Sequence, residues 1–298
     1  MINPWLQFFI SAVVIVYAGS RLTKNASVVA KNTGISTAWA GVLMLPLATS
    51  MPELVTTIRA AMINTPDLAL GNIFGSCLFN LALLSVIDLL QGRGALTSRI
   101  NNGHILTASL SIVTLCLAAI AMLEIIPWSL GWVGYETLII VIVYFYGSRL
   151  LYRYEKKQLI PVSETSLIKN ENDLSTGQAL RRFIVAAVFI ITAGVLLTDA
   201  SNSIALETGL SYSFVGTLFL AISTSLPETV TTITALKLGH TDMAVANIFG
   251  ANFMNLFIVF FADLFFRQGP LLHFVTDINL FSALMIMMFS AIIILGNN

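Results

Sequence analysis

The chain has 298 residues and no formal net charge; 57% of its residues are hydrophobic, only 10% are charged, and the mean hydropathy is +0.87. Soluble domains carry about 25% charged residues, and so few charges cannot cover the surface of a soluble protein. The composition therefore excludes a soluble enzyme. It favours an all-α polytopic membrane protein, because apolar runs of about 20 residues recur along the chain.

In chain order we predict nine apolar spans, divided into two halves by one polar linker. The first half is 1–152, the linker is 153–178 ("RYEKKQLIPVSETSLIKNENDLSTGQ") and the second half is 179–298. The linker has too few apolar residues to form a domain. The predicted spans are 4–20, 35–62, 68–90, 104–124, 129–151, 180–200, 211–236, 243–264 and 275–295.

Positive charge predicts the orientation of these spans. Of the fifteen Lys and Arg residues, thirteen fall on the side of the linker, Arg267 falls on the other side, and Arg59 lies within a span. Lys and Arg accumulate in cytoplasmic loops. We therefore expect the linker 153–178 in the cytoplasm and the N-terminus outside.

The two halves contain a repeated segment. A shift of 175 residues aligns 41–81 with 216–256 without a gap, and 20 of the 41 positions are identical. Five spans separate the copies, and an odd number reverses direction, so we predict two inverted-topology repeats of about five helices. Such repeats are typical of secondary transporters, with sites near the membrane midplane. The alternative is a duplicated scaffold that transports nothing.

Each repeat carries a carboxylate inside an apolar span, Glu53 in "ATSMPE" and Glu228 in "STSLPE". Buried ionisable groups mark an ion or substrate pathway unless a buried cation pairs with them, and Arg59 is a candidate partner for Glu53. Pro52 and Pro227 lack a backbone donor and should free carbonyl oxygens one turn upstream. Hydroxyl-bearing residues precede each glutamate by three and four positions, on the same helix face: Thr49, Ser50, Thr224 and Ser225.

A second segment of each repeat, "GNIFGSCLFNL" at 71–81 and "ANIFGANFMNL" at 246–256, supplies further polar groups. Ser76 and Asn80 are four residues apart and share a helix face. Their equivalents in the second copy are Ala251 and Asn255.

Four more positions of these segments carry asparagine or cysteine. Asn72 and Asn247 recur two turns before the other amides, and asparagine in a membrane helix either binds a ligand or joins helices. Both roles stay open for them. We interpret Cys77 and Asn252 as packing positions.

Together these residues offer carboxylates, hydroxyls, amide oxygens and carbonyls, with no sulfur or imidazole. Ca²⁺ takes six to eight oxygen ligands, Na⁺ also binds oxygen, and transition metals would recruit His or Cys. We therefore expect transported Ca²⁺ and Na⁺ as ligands and no cofactor. The lipid bilayer is the other expected partner, and no nucleic acid is expected.

The paired motifs "ATSMPELVTT…GNIFGSCLFN" and "STSLPETVTT…ANIFGANFMN" resemble the two alpha repeats of the sodium/calcium exchanger family, within the cation/Ca²⁺ antiporter superfamily. The resemblance implies a Na⁺-driven Ca²⁺ antiporter of a prokaryotic cell membrane that works by alternating access. It implies that Glu53 and Glu228 bind Ca²⁺ and Na⁺ in turn, while the spans 4–20 and 180–200 slide against the core. It assigns further ligand oxygens to Thr49, Ser50, Ser76, Asn80, Thr224, Ser225, Asn255 and the carbonyls of Pro46 and Ala221.

The chain departs from the family pattern at three points. Ala251 stands where the family commonly has Ser, so one hydroxyl that could hold Na⁺ is absent. Asn255 stands where some members have an Asp that accompanies potassium dependence. The family pattern has ten spans and we find nine, so either the second half lacks a last helix or the sequence is truncated.

Three other functions are alternatives to Na⁺/Ca²⁺ exchange. A H⁺/divalent cation antiporter would use the same glutamates, but proton-coupled relatives resemble a Gly-Asn-Ala-x-Glu pattern instead. An ion channel would need a filter-like ring of carbonyls, which the sequence does not indicate. An intramembrane enzyme would need a nucleophile with its base, or a metal motif, and neither is present in the sequence.

Overall fold

The computed structural model describes residues 3–91, 100–124, 128–158, 174–208 and 221–296, and most of these residues are helical. A hairpin of Ser129–Leu130 with Val133–Gly134 is formed before α7, a π-helical segment spans Ala40–Met44 and a 3-10 turn spans Leu271–Phe274. The α-helices are α1 (Pro4–Thr33), α2 (Thr37–Trp39), α3 (Pro46–Thr49), α4 (Met51–Met62), α5 (Pro66–Gln91), α6 (Asn102–Met122), α7 (Tyr135–Gln158), α8 (Thr176–Glu207), α9 (Leu226–Lys237), α10 (Thr241–Phe265) and α11 (Asp277–Leu295).

α1 is longer than the predicted span 4–20. The side chain of Asn3 caps it by accepting a hydrogen bond from the first turn at 2.9 Å, and Gly34, with a φ of 69°, ends it. The second half of the helix stays regular because Leu22, Ala26 and Ala30 are buried at one-turn spacing.

The second predicted span, 35–62, is broken in its middle. The helical segments before and after Ser50 meet at 47°. Pro52 lies in the first turn of α4, where its missing N–H is tolerated. Ser225 has the same backbone conformation (φ −86°, ψ 9°) as Ser50 (φ −86°, ψ 10°), so the two copies of the motif form the same kink.

α10 lies at the centre of the bundle. Its side chains from Met243 to Val259 are all buried, and it contacts α4, α5, α6, α7 and α9. A helix that is buried on all sides, with mostly apolar side chains, lies in the interior of a bundle. Its equivalent in the first repeat, α5, packs against it, which brings together the segments that carry Asn80 and Asn255.

The helix ends define two faces of the molecule. On the linker face, Asn32 at the end of α1 donates to the carbonyl of Leu174 at 3.0 Å, and Ser36 donates to Glu155 near the end of α7 at 2.7 Å. The start of α1 lies toward the opposite face, beside the second half of α8, where Gln7 donates to the carbonyl of Leu196 at 2.9 Å. α1 and α8 are therefore antiparallel.

Equivalent helices of the two repeats begin at different faces. Asp67 and Asp242 are equivalent and open α5 and α10. Arg59 pairs with Asp199 in the second half of α8, which places the end of α4, and with it Asp67, toward the opposite face. Asp242 lies near Glu155, at the linker face. We infer from these contacts that the two copies run in opposite directions.

Six described helices are long and apolar enough to cross a membrane, or seven if the bent pair Thr37–Thr49 and Met51–Met62 is one span. The six are α1, α5, α6, α8, α10 and α11. The molecule is thus an integral membrane protein by length and composition. α7 also coincides with a predicted span but is more polar, because it is charged from Arg149 onward.

The boundaries of the fifth span and of the linker also differ from the predicted ones. Residues 129–134 of the fifth span form the hairpin, because Gly131 with a φ of 68° reverses the chain before α7 starts at Tyr135. The ends of the predicted linker are helical, since α7 continues to Gln158 and α8 begins at Thr176. The rest of the linker, 159–173, and residues 211–220 of the seventh predicted span lie outside the described residues.

Candidate cation site

The two predicted carboxylates are buried in the bundle, and each contacts the other repeat. Glu53 and Glu228 have no exposed surface. Oγ of Ser225 donates to Oε1 of Glu53 at 3.4 Å, and Oγ of Ser50 donates to Oε1 of Glu228 at 3.1 Å. Because these hydrogen bonds cross between the repeats, the two motifs form one site.

The kink positions these serines. Ser50 and Ser225 lie at the break between two helical segments, three residues before the glutamate of their own repeat. In an unbroken helix, each serine would share a face with its own glutamate. The break turns each hydroxyl toward the glutamate of the other copy.

The carbonyls of Pro46 and Ala221 already accept hydrogen bonds in the same kinks. The backbone N–H groups of Ser50 and Ser225 donate to them, each at 3.0 Å. A carbonyl has two lone pairs. The carbonyl of Pro46 therefore keeps one lone pair for a bound ion. The carbonyl of Ala221 also accepts a hydrogen bond from the hydroxyl of Thr224 at 3.1 Å, and this hydroxyl would have to rotate away before the carbonyl could bind an ion.

The threonines Thr224 and Thr49 are equivalent in the repeat, but their surroundings differ. Oγ1 of Thr224 lies 3.4 Å from Oγ of Ser76 and 3.5 Å from Oδ1 of Asn72. Oγ1 of Thr49 donates to the carbonyl of its own helix at Leu45, 3.2 Å away. The equivalent of Ser76 on its side is the methyl group of Ala251. The half of the site at Thr224 is therefore richer in hydroxyl groups.

The amides of Asn72 and Asn247 join helices within each repeat. Nδ2 of Asn72 lies 3.5 Å from the carbonyl of Glu53, and Nδ2 of Asn247 lies 3.4 Å from the carbonyl of Glu228. Of the two roles open from sequence, helix joining is therefore present in both copies. It fixes the backbone that carries each carboxylate.

Asn80 and Asn255 differ in their hydrogen bonds. Nδ2 of Asn80 donates to Oδ1 of Asn252 at 3.0 Å, and the amide of Asn252 donates to the carbonyl of Cys77 at 3.3 Å. Asn252 is thus a polar link between α5 and α10 and not merely a packing position. The side chain of Asn255 is fully buried, and its Oδ1 has no hydrogen-bond partner among the described residues.

Arg59 is not the partner of Glu53. Its guanidinium pairs with Asp199 on α8, and the two side chains are 62% and 40% exposed. Within the described part of the chain, neither buried glutamate forms an ion pair. Five site residues have a buried acceptor oxygen with no hydrogen-bond partner in the described ranges: Oε2 of Glu53, Oε2 of Glu228, and Oδ1 of Asn80, Asn247 and Asn255.

This set of donors suits a hard cation. A buried acceptor left unpaired costs about 1–3 kcal/mol, and an unpaired buried carboxylate costs more. Two carboxylates with neutral oxygens around them would compensate Ca²⁺ or Na⁺. The described residues contain no cluster of three or more His, Cys, Asp or Glu side chains arranged to hold a metal.

Sequence reasoning missed the partners of the amides. Thr57 and Thr232 are equivalent in the repeat and accept hydrogen bonds from Asn72 and Asn247 at 3.1 and 2.9 Å. The same residue type occurs in both copies, one turn after each glutamate, and this recurrence could have identified them as part of the site. The role of Asn252 had no such signal, since its equivalent is Cys77.

Comparison with known proteins identifies the family of this site. The family model described as "Sodium/calcium exchanger protein" matches residues 3–152 and 179–297. The chain belongs to the sodium/calcium exchanger family. As a family member it is a cation/Ca²⁺ antiporter, and the predicted resemblance is confirmed.

Relatives and solved structures are consistent with this membership. Sodium/calcium exchanger MaX1 of Methanosarcina acetivorans is 24% identical over 283 residues, covering 86% of this chain and 81% of the relative. An "uncharacterized membrane protein" of Methanocaldococcus jannaschii is 25% identical over 251 residues, covering 84% and 78%. The fold matches the sodium-calcium exchanger NCX_Mj, soaked with 2.5 mM Na⁺ and 0.1 mM Ca²⁺, with a TM-score of 0.73, 17% identity and coverage of 100% of this chain and 91% of that one.

Proposed function

We propose that this protein exchanges Na⁺ for Ca²⁺ across the membrane at one site built on Glu53 and Glu228. The observation that carries the proposal is the crossed pair of hydrogen bonds, Ser225 to Glu53 and Ser50 to Glu228. They join two fully buried carboxylates from opposite repeats into one oxygen-lined centre. Such a centre binds either one divalent ion or monovalent ions in its place, which is the requirement for exchange.

The mechanism is a change of access followed by competition for the same carboxylates. Ca²⁺ would take both carboxylates, with Thr49, Ser50, Thr224 and Ser225 beside them. Na⁺ entering from the other side would displace Ca²⁺ by occupying the same carboxylates. Ser76, Asn80, Asn255 and the carbonyls of Pro46 and Ala221 complete the proposed ligand set.

Access would alternate by movement of α1 and α8 against the other helices. These two long helices pack along each other, and α1 contacts α9 while α8 contacts α3 and α4. An ion bound between two inverted repeats is then exposed first to one face of the membrane and then to the other. In the proposed orientation, the linker face is cytoplasmic.

The test uses purified protein in liposomes. With Na⁺ inside and Ca²⁺ outside, we expect Ca²⁺ uptake that stops when internal Na⁺ is replaced by choline. Glu53→Gln and Glu228→Gln should each lower the apparent Ca²⁺ affinity at least about a hundredfold, because a lost partner of a buried charge costs about 3 kcal/mol or more. Exposed Asp277→Asn, far from the site, is the matched control and should transport normally.

Two outcomes would contradict the proposal. Uptake that follows a pH gradient and ignores Na⁺ would favour the H⁺/divalent cation antiporter. Normal Ca²⁺ exchange by either glutamine variant would remove that glutamate from the binding site.

A further inference from the structure

We propose that Asn252 is a positioning residue, which turns the side-chain oxygen of Asn80 toward the cation site. The inference rests on the proposed function and gives a role to a residue outside the proposed ligand set. Asn80 lies on α5 and Asn252 lies on α10, and both side chains are buried. The contacts of the two amides determine which atom of Asn80 is left to bind an ion.

A backbone carbonyl fixes the orientation of the Asn252 amide. A side-chain amide donates hydrogen bonds from its NH2 group and accepts them at its oxygen. The carbonyl of Cys77 is able only to accept, and Nδ2 of Asn252 donates to it at 3.3 Å. The other end of the Asn252 amide, Oδ1, accepts a hydrogen bond from Nδ2 of Asn80 at 3.0 Å.

This contact in turn fixes the orientation of Asn80. The reverse orientation of its amide would place two acceptor oxygens against each other, Oδ1 of Asn80 and Oδ1 of Asn252. Oδ1 of Asn80 is therefore the end left for the site, and it is buried with no hydrogen-bond partner in the described part of the chain. Ser76, one turn earlier on α5, contacts Thr224 at 3.4 Å, so this part of α5 borders the site. Asn80 presents an acceptor to a cation and not an NH2 group, which a cation would repel.

The other repeat lacks an equivalent support. Cys77 and Asn252 are equivalent in the repeat and contact each other, since Sγ of Cys77 lies 4.0 Å from the carbonyl of Asn252. They therefore lie near the axis that relates the two repeats. The thiol of Cys77 lies beside Asn255 as Asn252 lies beside Asn80, but a thiol is only a weak donor and a weak acceptor. The amide of Asn255 is thus held less firmly than the amide of Asn80.

The test is Na⁺-driven Ca²⁺ uptake into liposomes by Asn252→Ala, measured in the unaltered background and in Asn80→Ala. Loss of the Asn252 amide leaves Asn80 free to rotate, so we expect the half-saturating Ca²⁺ concentration to rise about three- to tenfold, the equivalent of one hydrogen bond. In the Asn80→Ala background the same change should be less than about twofold, because the side chain that Asn252 positions is absent. Thermal unfolding of all these proteins in detergent without Ca²⁺ measures the packing effect separately.

Unchanged Ca²⁺ affinity in Asn252→Ala, or an equal loss in both backgrounds, would overturn the inference, because Asn252 would then not act through Asn80. Absence of Na⁺-driven uptake by the unaltered protein would instead refute the proposed function on which the inference rests.

Cys77→Asn tests the same geometry in the other repeat, and it carries the test if Asn252→Ala does not fold. It gives Asn255 the kind of amide partner that Asn80 already has, so we expect the half-saturating Ca²⁺ concentration to fall about two- to fivefold. The gain should disappear when Asn255→Ala is added. A folded Cys77→Asn protein with unaltered Ca²⁺ affinity, or with the same gain in the Asn255→Ala background, would contradict positioning by the amide.

Discussion

At the residue scale, Asn72 and Asn247, which bind the backbone of the two glutamates, differ in the number of threonine hydroxyls that accept their hydrogen bonds. Nδ2 of Asn247 donates to two hydroxyls, Thr231 at 3.0 Å and Thr232 at 2.9 Å, whereas Nδ2 of Asn72 donates to the single hydroxyl of Thr57 at 3.1 Å. Each amide also contacts the carbonyl of its glutamate. Loss of one threonine hydroxyl should therefore have a different effect in each repeat.

We expect Thr57→Val to lower stability more than Thr232→Val, although both changes are nearly isosteric and both side chains are buried. Thr57→Val leaves the amide of Asn72 without a side-chain acceptor, which costs about 1–3 kcal/mol, while Asn247 keeps Thr231. The measurement is thermal unfolding of the purified protein in detergent. Equal losses for the two variants would show that the second acceptor at Asn247 contributes nothing.

Much of the site was predictable from sequence because its residues recur at one shift. The repeat identified Glu53 and Glu228 and the hydroxyls beside them. The repeat did not predict that each serine contacts the glutamate of the other copy. The 175-residue shift shows which residues are equivalent, but it does not show which residues are in contact. The link from Asn252 to Asn80 was missed for the same reason.

At the element scale, two equivalent glycines allow α1 and α8 to approach the kinked helices. A methyl group at Gly194 in α8 would overlap the rigid ring of Pro52, and a methyl group at Gly19 in α1 would lie 2.9 Å from Cγ1 of Val230. A proline ring has little freedom to move away, whereas a valine side chain is able to rotate. The contact at Gly194 is therefore the less tolerant one.

We predict that Gly194→Ala lowers both stability and the rate of Ca²⁺ exchange, with an overpacking cost of about 1–3 kcal/mol. Gly177→Ala is the matched control on the same helix, because a methyl group there meets no atom within 4 Å and alanine favours the helix by up to about 1 kcal/mol. Thermal unfolding and exchange rates of both variants provide the check. A Gly194→Ala protein as stable as Gly177→Ala would contradict close packing at Pro52.

Helix positions were predictable to within a few residues because apolar runs and proline signals dominate them. The kinks at Ser50 and Ser225 follow from the Pro two residues later. The hairpin before α7 was not predicted, since Trp and Leu beside Gly131 read as part of an apolar span. The extension of α1 to Thr33 was missed because polar residues on one face hide a buried stripe on the other.

At the scale of the whole molecule, the pair α1 and α8 breaks the symmetry of the repeats. Gly194 packs on Pro52, but its equivalent Gly19 packs on Val230 and not on Pro227, the equivalent of Pro52. The two contacts differ by three residues, about 4.5 Å along a helix. If each contact is replaced by the equivalent contact of the other repeat, a second arrangement results. In it, Gly19 packs on Pro227 and Gly194 packs on Val55. No sequence comparison predicts this offset, because the shift treats both copies alike.

If α1 and α8 move between these arrangements during exchange, two cysteine pairs should report them. The hydroxyls of Ser20 and Thr234 lie 3.3 Å apart, and their equivalents in the exchanged arrangement are Val195 and Arg59. In a protein with Cys116 changed to Ala, we expect Ser20→Cys/Thr234→Cys to cross-link in the arrangement described above. Val195→Cys/Arg59→Cys should cross-link in the exchanged arrangement.

Either disulfide should stop Na⁺-driven Ca²⁺ uptake, and reduction should restore it, because a bridged pair cannot change access. Ion conditions that increase cross-linking of one pair should decrease it for the other, since the two arrangements exclude each other. The measurement is the fraction cross-linked in liposomes at several Na⁺ and Ca²⁺ concentrations, with each single-cysteine variant as the control. Uptake that persists in a fully cross-linked protein, or two pairs that rise and fall together, would rule out movement of α1 and α8 as the step that changes access.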